Sequence, residues 1–190
     1  MRSQQRHQPP LQHQRTGVWQ ERLVLANGRE VVLRPIHPND LEPLRAGFTT
    51  LTAEEIRLRF MHPMTGLTLE FARQLTHLDP NNAFALVIAE PLPAGQALVG
   101  AVARLSFDRT TGLAEFALLV AKPIAGFGLG HYLMKKLIYW ARRNHLRAIC
   151  GDVLRENTVM LNLSERLGFE LRSSSGESGI VQVWLDLSRA

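Results

Sequence analysis

From residue 19 onward the apolar residues follow two patterns, one typical of strands and one typical of helices. The two patterns together predict an α/β domain. Two β-rich runs, 23–26 and 29–36, flank Asn27-Gly28, the dipeptide that most favours a tight hairpin. Three further apolar runs, at 83–90, 97–107 and 113–121, follow one another through short turns of Pro, Gly, Asn and Asp. Strands joined so closely predict an antiparallel meander.

Helical signals lie before and after this meander. Residues 37–40 open a helical stretch, Thr52 with Glu55 forms a capping box, and Thr68 can cap a third helix. Apolar residues recur every 3.6 positions across 128–145, which predicts an amphipathic helix.

The C-terminal part of the chain alternates between the two element types. A strand at 147–154, a helix closed by Gly168 and two terminal strands around a Ser/Gly turn at 173–179 complete the order. The fold class is therefore α/β, with a mixed, mostly antiparallel central sheet flanked by helices.

Composition adds a boundary and limits the partners. Of the 190 residues, those at 1–17 are rich in Gln, His and Arg, which predicts a disordered basic tail before a folded domain at 18–190. The tail arginines Arg2, Arg6 and Arg15 supply three of the five net positive charges, leaving +2 for the rest. A basic balance suits nucleic acid and a polyanionic small molecule such as a nucleotide cofactor equally well, so charge alone does not decide between them. The scarcity of aromatics in the tail disfavours nucleic-acid binding.

Several classes of protein are excluded by what the sequence lacks. No apolar run approaches the ~20 residues that span a bilayer, so we expect a cytoplasmic protein with no membrane segment. Cys150 is the single cysteine and lies in an apolar strand, where a small core residue is expected rather than a nucleophile. The seven histidines show no metal-ligand spacing, and we expect no metal site.

The most informative segment is the glycine-rich turn AGFGLG at 125–130, between a predicted strand and a predicted helix. Glycines let backbone N–H groups approach a ligand, and a helix N-terminus adds about half a positive charge, so this turn can bind phosphate. It is not a dinucleotide fingerprint, because His131 occupies the third glycine position, and no Gly-Lys-Ser/Thr of a Walker loop follows. A turn without any ligand is the alternative.

The turn resembles the acyl-CoA loop of the GCN5-related N-acetyltransferase (GNAT) superfamily, Gln/Arg-x-x-Gly-x-Gly/Ala. Gly128 and Gly130 match its last two defined positions, whereas Ala125 departs from the Gln or Arg of the first. A second motif of that superfamily, Asn-x-x-small-x-x-Leu-Tyr-x-x-x-Gly-Phe, is matched by Asn157, Met160, Leu163, Gly168 and Phe169. Ser164 stands at its tyrosine. The flanking segments LRPIHPNDLEPL, Arg59-Phe60 and AEFALLV are most similar to the bacterial Pat-type protein-lysine acetyltransferases. The resemblance runs from about residue 31 to 169.

This resemblance implies a single GNAT-like domain that uses acetyl-CoA as cosubstrate. The acyl-CoA contacts that it implies are the strand residues Leu118, Leu119 and Val120, the turn residues Gly126, Phe127, Gly128, Leu129, Gly130 and His131, and Asn157. The tyrosine that often donates a proton to the leaving thiolate in the family is absent, so the general acid is unassigned.

Glu115 is the candidate catalytic residue. Strand alternation places it on the face opposite Phe116 and Leu118. Burial raises the pKa of a carboxylate, which suits a general base, whereas a solvated strand residue is the alternative. The AEFA segment resembles the one that carries the catalytic glutamate of Pat-type enzymes, and this resemblance implies that Glu115 deprotonates the acceptor amine. It also implies that a backbone N–H near Leu118 polarises the thioester carbonyl.

We therefore expect an N-acetyltransferase that acts on a protein lysine by direct attack. A small amine such as a polyamine or an antibiotic is the alternative acceptor, and an acid-rich acceptor site would favour polyamines. A non-catalytic acyl-CoA-sensing module is a third reading, which Ala125 and Ser164 leave open.

Overall fold

The computed structural model describes residues 19–173 and 179–188 and contains an eight-stranded sheet in the order β1-β2-β3-β4-β5-β6-β8-β7. The strands are β1 (Glu21–Val24), β2 (Glu30–Pro35), β3 (Ala83–Ala89), β4 (Val99–Asp108), β5 (Leu113–Val120), β6 (Ala148–Leu154), β7 (Glu170–Ser173) and β8 (Ile180–Asp186). Neighbours pair antiparallel except β5 and β6, which are parallel. The predicted fold class, the meander of β3 to β5 and the N-terminal hairpin are confirmed.

Within the described residues five α-helices accompany the sheet: α1 (Leu41–Phe48), α2 (Ala53–Phe60), α3 (Leu69–Thr76), α4 (Leu129–Arg143) and α5 (Thr158–Arg166). Thr52 and Glu55 form the predicted capping box of α2, and Thr68 accepts a hydrogen bond from the Phe71 N–H at the start of α3. The predicted tail at 1–17 and the tip of the terminal turn lie outside the described residues.

The helices lie on opposite faces of the sheet, which gives each face its own set of apolar contacts. Helix α4 packs against the face that carries Leu33, Ile88, Leu105 and Ile149, and its own Leu133 and Leu137 are fully buried there. On the other face α1, α2 and α3 enclose a smaller cluster of Phe48, Ile56, Leu67 and Ala72. The side chains of Arg104, Glu115 and Cys150, described below, belong to this second face.

A buried ion pair ties β2 to the helical stretch. Asp40 is fully buried, and its two carboxylate oxygens accept hydrogen bonds from Arg34 Nη1 at 2.6 Å and Nη2 at 2.8 Å. Asp40 Oδ2 also accepts from the His37 N–H at 2.8 Å. A bidentate pair satisfied in this way offsets the cost of removing both charges from water.

The N-terminal hairpin is attached to α4 by polar contacts. Lys136 Nζ donates to Glu21 Oε2 at 2.8 Å, and the Tyr132 hydroxyl donates to the other oxygen. Burial raises the pKa of the Glu21 carboxyl, but these two hydrogen bonds and the Lys136 charge outweigh burial and lower that pKa.

Candidate active site

The site is built around a gap that opens between β5 and β6. In the described part of the chain the two strands pair only from Leu113–Ala148 to Glu115–Cys150, although β5 continues to Val120 and β6 to Leu154. Phe116 lies just past the last pair, and its ring covers Gly151 so closely that a Cβ there would lie 2.6 Å from the ring. A glycine on β6 therefore leaves room for the Phe116 ring at the point where the strands part.

Backbone direction decides which amides of β5 face this gap. The Ala121 N–H donates to the Gly100 carbonyl at 2.9 Å, on the β4 side. Alternation along an antiparallel strand then turns the Leu119 N–H towards β4, and the N–H groups of Leu118 and Val120 towards the gap. Leu118 and Val120 thus present their N–H groups to the gap. The Leu119 N–H points to β4, and the Leu119 side chain lies on the face of the sheet opposite α4.

The glycine-rich turn lies beside the same opening. A Cβ built at Gly130 would lie 3.4 Å from Leu118 Cδ2 and 3.8 Å from Val120 Cγ2, so the first turn of α4 covers the end of β5. Gly126 and Gly128 have φ of +83° and +76°, and no atom lies within 4 Å of a Cβ built at either. The left-handed backbone favours glycine at both positions, and the absence of a side chain leaves the space beside the turn open.

The N-terminus of α4 has free hydrogen-bond donors. Gly128 is its N-cap, and no side chain caps the helix within the described ranges. Helix geometry leaves the N–H groups of Leu129, Gly130 and His131 without intrahelical acceptors, and the macrodipole adds positive potential. Phe127 packs against the main core and anchors the turn from inside.

Glu115 is exposed on the face of the sheet opposite α4, so the burial considered for it in the sequence is absent. It lies in an open pocket, a shallow depression whose polar lining residues are Asn82, Arg104, Ser106, Asp108, Glu115 and Cys150. The carboxylate is thus reachable by an acceptor from solvent, next to the last paired residues before the gap.

Cys150 is not the core residue that the sequence predicted. It is half-buried and lies directly opposite Glu115 in the parallel register, because the side chains of registered residues share one face. Burial raises the pKa of the Cys150 thiol, and the charges of Glu115 and Asp152 raise it further. The group beside Glu115 is therefore a neutral thiol at neutral pH.

The two residues singled out from the second motif have structural surroundings of their own. Asn157 is the N-cap of α5, and its Oδ1 accepts a hydrogen bond from the Met160 N–H at 3.1 Å. Ser164 is fully buried, and its Oγ has no hydrogen-bond partner among the described residues. A hydroxyl shielded from solvent in this way is poorly placed to exchange a proton.

Two arginines near Glu115, Arg59 and Arg104, were not predicted as site residues from the sequence, although Arg59 belongs to the segments that resemble Pat-type enzymes. Arg59 and Arg104 both line an apolar cavity beneath α1, α2 and α3 whose apolar walls include Leu44, Phe48, Phe60, Leu75, Val102 and Leu119. Burial, followed by the nearby charge of Arg104, lowers the pKa of the Arg59 guanidinium to about 10, while the Glu115 charge acts in the opposite direction. Burial also lowers the pKa of Arg104.

Comparison with known proteins identifies the family. The family model described as an acetyltransferase (GNAT) domain matches residues 30–170, nearly the whole segment from β2 to β7. The chain belongs to the GNAT acetyltransferase family. This GNAT enzyme is similar to Acetyltransferase PA5475 of Pseudomonas aeruginosa, with 29% identity over 145 residues, which are 76% of this chain and 77% of that protein.

Solved structures share the fold of this GNAT domain. The GNAT domain of S. lividans PAT has a TM-score of 0.76 and 24% identity, covering 88% of this chain and 97% of that chain. A spermidine N-acetyltransferase from Vibrio cholerae, in complex with CoA and spermine, has a TM-score of 0.67 and 18% identity, covering 84% of this chain and 96% of that one.

Acetyl-CoA, the cosubstrate of GNAT acetyltransferases, fits the residues found here. The open space at Gly126 and Gly128 adjoins the first turn of α4, and Gly130 of that turn lies against Leu118 and Val120 of β5. A phosphate group can approach the turn without displacing a side chain.

None of the described helices is long and apolar enough to cross a membrane.

Proposed function

We propose that this GNAT enzyme transfers the acetyl group of acetyl-CoA to a protein lysine side chain, with Glu115 as general base. The observation that carries this proposal is the exposure of Glu115 at the last paired residue before the β5–β6 gap. A general base must reach both the acceptor and the place where the acyl group is bound. Glu115 faces the open pocket and adjoins that gap.

The residues of this chain have distinct tasks in the proposed transfer. Turn residues 126–131 donate backbone hydrogen bonds to the pyrophosphate, and the Val120 N–H pairs with the pantetheine arm. The Leu118 N–H donates to the thioester carbonyl oxygen, where negative charge develops during attack. Asn157 is proposed to contact acyl-CoA from the N-cap of α5, as the family resemblance implies.

Bond making and breaking balance without a metal or a covalent enzyme intermediate. Acetyl-CoA supplies the activated acyl carbon and the thiolate leaving group. Glu115 takes a proton from the lysine ammonium, so that the neutral amine can form the new N–C bond as the C–S bond breaks. The new N–C bond leaves one excess proton on the nitrogen, and this proton passes to the departing thiolate directly or through solvent. The buried Ser164 is poorly placed to supply a proton to that thiolate.

The state of Cys150 supports direct transfer. A relay through Cys150 requires its thiolate as the nucleophile. Burial and the charges of Glu115 and Asp152 raise the pKa of that thiol, so the thiolate is scarce at neutral pH. Lysine attack on the thioester therefore needs no acyl-cysteine step.

A small cationic amine is the second candidate acceptor. Asp108 lines the same open pocket as Glu115, and two carboxylates there attract a cation. Arg104 lines that pocket as well, and Arg59 is near enough to interact electrostatically with both Arg104 and Glu115. These two guanidiniums disfavour a polycation such as spermidine, which supports the lysine proposal over the polyamine alternative.

Replacing Glu115 tests the proposed base. Glu115→Gln keeps the shape of the side chain but cannot take a proton, so acetyl-CoA affinity should hold while turnover on a lysine peptide falls by ~10² to 10⁴-fold. Higher pH should partly rescue the variant, because more lysine is then already deprotonated. Glu165→Gln, an exposed substitution on α5, is the matched control and should leave turnover unchanged.

Equal turnover by Glu115→Gln and the unmodified enzyme would remove the base assignment. If neither protein acetylates a lysine peptide, spermidine or an aminoglycoside while both bind acetyl-CoA tightly, the chain is an acyl-CoA sensor instead. Measuring thiol release and acetyl-CoA binding on the same preparations separates these outcomes.

A further inference from the structure

Arg59 and Arg104 are two half-buried arginines that line the same cavity and have no carboxylate partner among the described residues. Arg59 comes from α2 and Arg104 from β4, yet both half-buried side chains line the apolar cavity, and Arg104 also lines the open pocket that contains Glu115. Each charge is therefore partly removed from water at the boundary between two depressions. Desolvated charges of this kind are costly unless an anion or several acceptors accompany them.

Neither guanidinium has a carboxylate within 4 Å in the part of the chain that the structure describes. Arg104 Nη1 donates to the Gln74 carbonyl at 3.1 Å, and its Nε donates to Ser106 Oγ at 3.2 Å. Arg59 has its guanidinium carbon 4.6 Å from the centroid of the Phe60 ring. These contacts leave further N–H donors of both side chains available.

The buried Arg34 provides a contrast within the same chain. It is matched by Asp40 with two hydrogen bonds at 2.6 and 2.8 Å. At Arg59 and Arg104 the chain supplies only neutral acceptors and a ring face at hydrogen-bonding or stacking distance. An anion from another molecule would complete the Arg59–Arg104 pair as Asp40 completes Arg34.

We propose, on the basis of the proposed function, that Arg59 and Arg104 bind a carboxylate of the acceptor next to the amine that Glu115 deprotonates. The planar fork of a guanidinium matches a carboxylate better than an ammonium does, which explains arginine at both positions.

The sheet register places this subsite on the acceptor side. Arg104 is registered with Ala117 and Ser106 with Glu115, so Arg104 and Glu115 are diagonal neighbours on one face, with Cα atoms about 7–8 Å apart. A substrate can therefore place a lysine amine at Glu115 and the carboxylate of an acidic residue close to it in sequence at Arg104. The preferred target is accordingly a lysine flanked by Asp or Glu.

A pair of peptides tests this subsite. One has the sequence Ala-Glu-Lys-Glu-Ala with blocked ends, and the other has Gln in place of both Glu residues. We expect the enzyme to acetylate the Glu peptide with at least tenfold higher kcat/KM, mainly through a lower KM. Arg59→Gln and Arg104→Gln should each reduce this preference to about twofold or less, and Arg59→Lys should retain part of it.

The matched control is Arg142→Gln, which removes an exposed arginine from the last turn of α4 and should keep the full preference. Thermal melting of each variant confirms that it is folded. Equal use of both peptides by the unmodified enzyme would contradict the subsite, and so would an unchanged preference in both arginine variants.

Two further arms separate this subsite from the proposed function and from the other substrate. Calorimetric titration of the peptides into Glu115→Gln should still show tighter binding of the Glu peptide, even without turnover. If no amine is acetylated by any form but this binding difference persists, the proposed function fails and the subsite remains. Preferential use of succinyl-CoA over acetyl-CoA, lost in the arginine variants, would instead assign the carboxylate to the acyl group and overturn the acceptor assignment.

Discussion

Gly28 and Gly128 allow backbone strain to be separated from ligand binding. Their φ values are +82° and +76°, and no atom lies within 4 Å of a Cβ built at either position. A Cβ at either site therefore meets no clash, and the left-handed backbone imposes a similar penalty at both sites, at about 1–2 kcal/mol. For a chain of this size ~1 kcal/mol lowers Tm by about 2–4 °C, so Gly28→Val and Gly128→Val should melt at similar temperatures.

Acetyl-CoA binding should distinguish the two variants sharply. Gly28 lies in the hairpin turn between β1 and β2, whereas Gly128 is the N-cap of α4 beside the free donors of its first turn. A valine side chain at 128 occupies the open space through which a phosphate reaches those N–H groups. Losing two hydrogen bonds to a charged group, at about 1.5 kcal/mol each, costs about 3 kcal/mol and weakens binding by more than ~100-fold.

Calorimetry on the unmodified enzyme and the two variants measures this difference. We expect Gly28→Val to bind acetyl-CoA with unchanged Kd and Gly128→Val to bind it at least ~100-fold more weakly. Comparable affinity in both variants would refute the placement of the pyrophosphate at residues 126–131. A loss of affinity in both would mean that backbone strain, and not access to α4, controls binding.

Two other predictions concern parts of the chain outside the reacting groups. Deleting residues 1–17 should leave acetyl-CoA affinity intact, because that segment has little apolar content to pack; loss of binding in a folded truncated protein would show that the domain begins earlier. Glu21→Gln should reduce the free energy of unfolding at pH 7 by less than about 1 kcal/mol, since the Glu21 side chain is 37% exposed. The lowered pKa of Glu21 means that its contribution is complete above the ordinary value of 4.5 and disappears as pH falls through the folded value. Urea unfolding should therefore show a gap between Glu21→Gln and the unmodified protein that closes in acid, and a gap constant with pH would contradict this contribution.

Local chemistry made much of the fold predictable from the sequence. Asn27-Gly28 indicates a hairpin because glycine tolerates the positive φ that such a turn needs, and Gly28 has positive φ. Thr52 and Glu55 specify a helix start because each satisfies the free N–H of the other. The glycine-rich turn was also predictable from the sequence, because the strand before it and the helix after it both have clear apolar periodicity.

The acceptor side of the site depends on pairings that no local pattern contains. Glu115 and Cys150 become neighbours only because β5 and β6 pair in parallel across the α4 connection. Arg59 and Arg104 line one cavity because α2 lies against the face of the sheet that carries Arg104, and the sequence between them does not encode that arrangement locally. Cys150 was expected in the core since its strand is apolar, but the residue faces Glu115 at the edge of the gap.

Mass spectrometry tests most directly whether the enzyme acetylates protein lysines with Glu115 as general base. Deacetylated lysate proteins are incubated with acetyl-CoA and either the unmodified enzyme or Glu115→Gln, and acetylated lysines are located and quantified. We predict new acetyl-lysine sites with the unmodified enzyme and a ~10² to 10⁴-fold lower initial rate with Glu115→Gln. Lysine acetylation no greater than with acetyl-CoA alone, from an enzyme that binds acetyl-CoA and acetylates spermidine, would contradict the account.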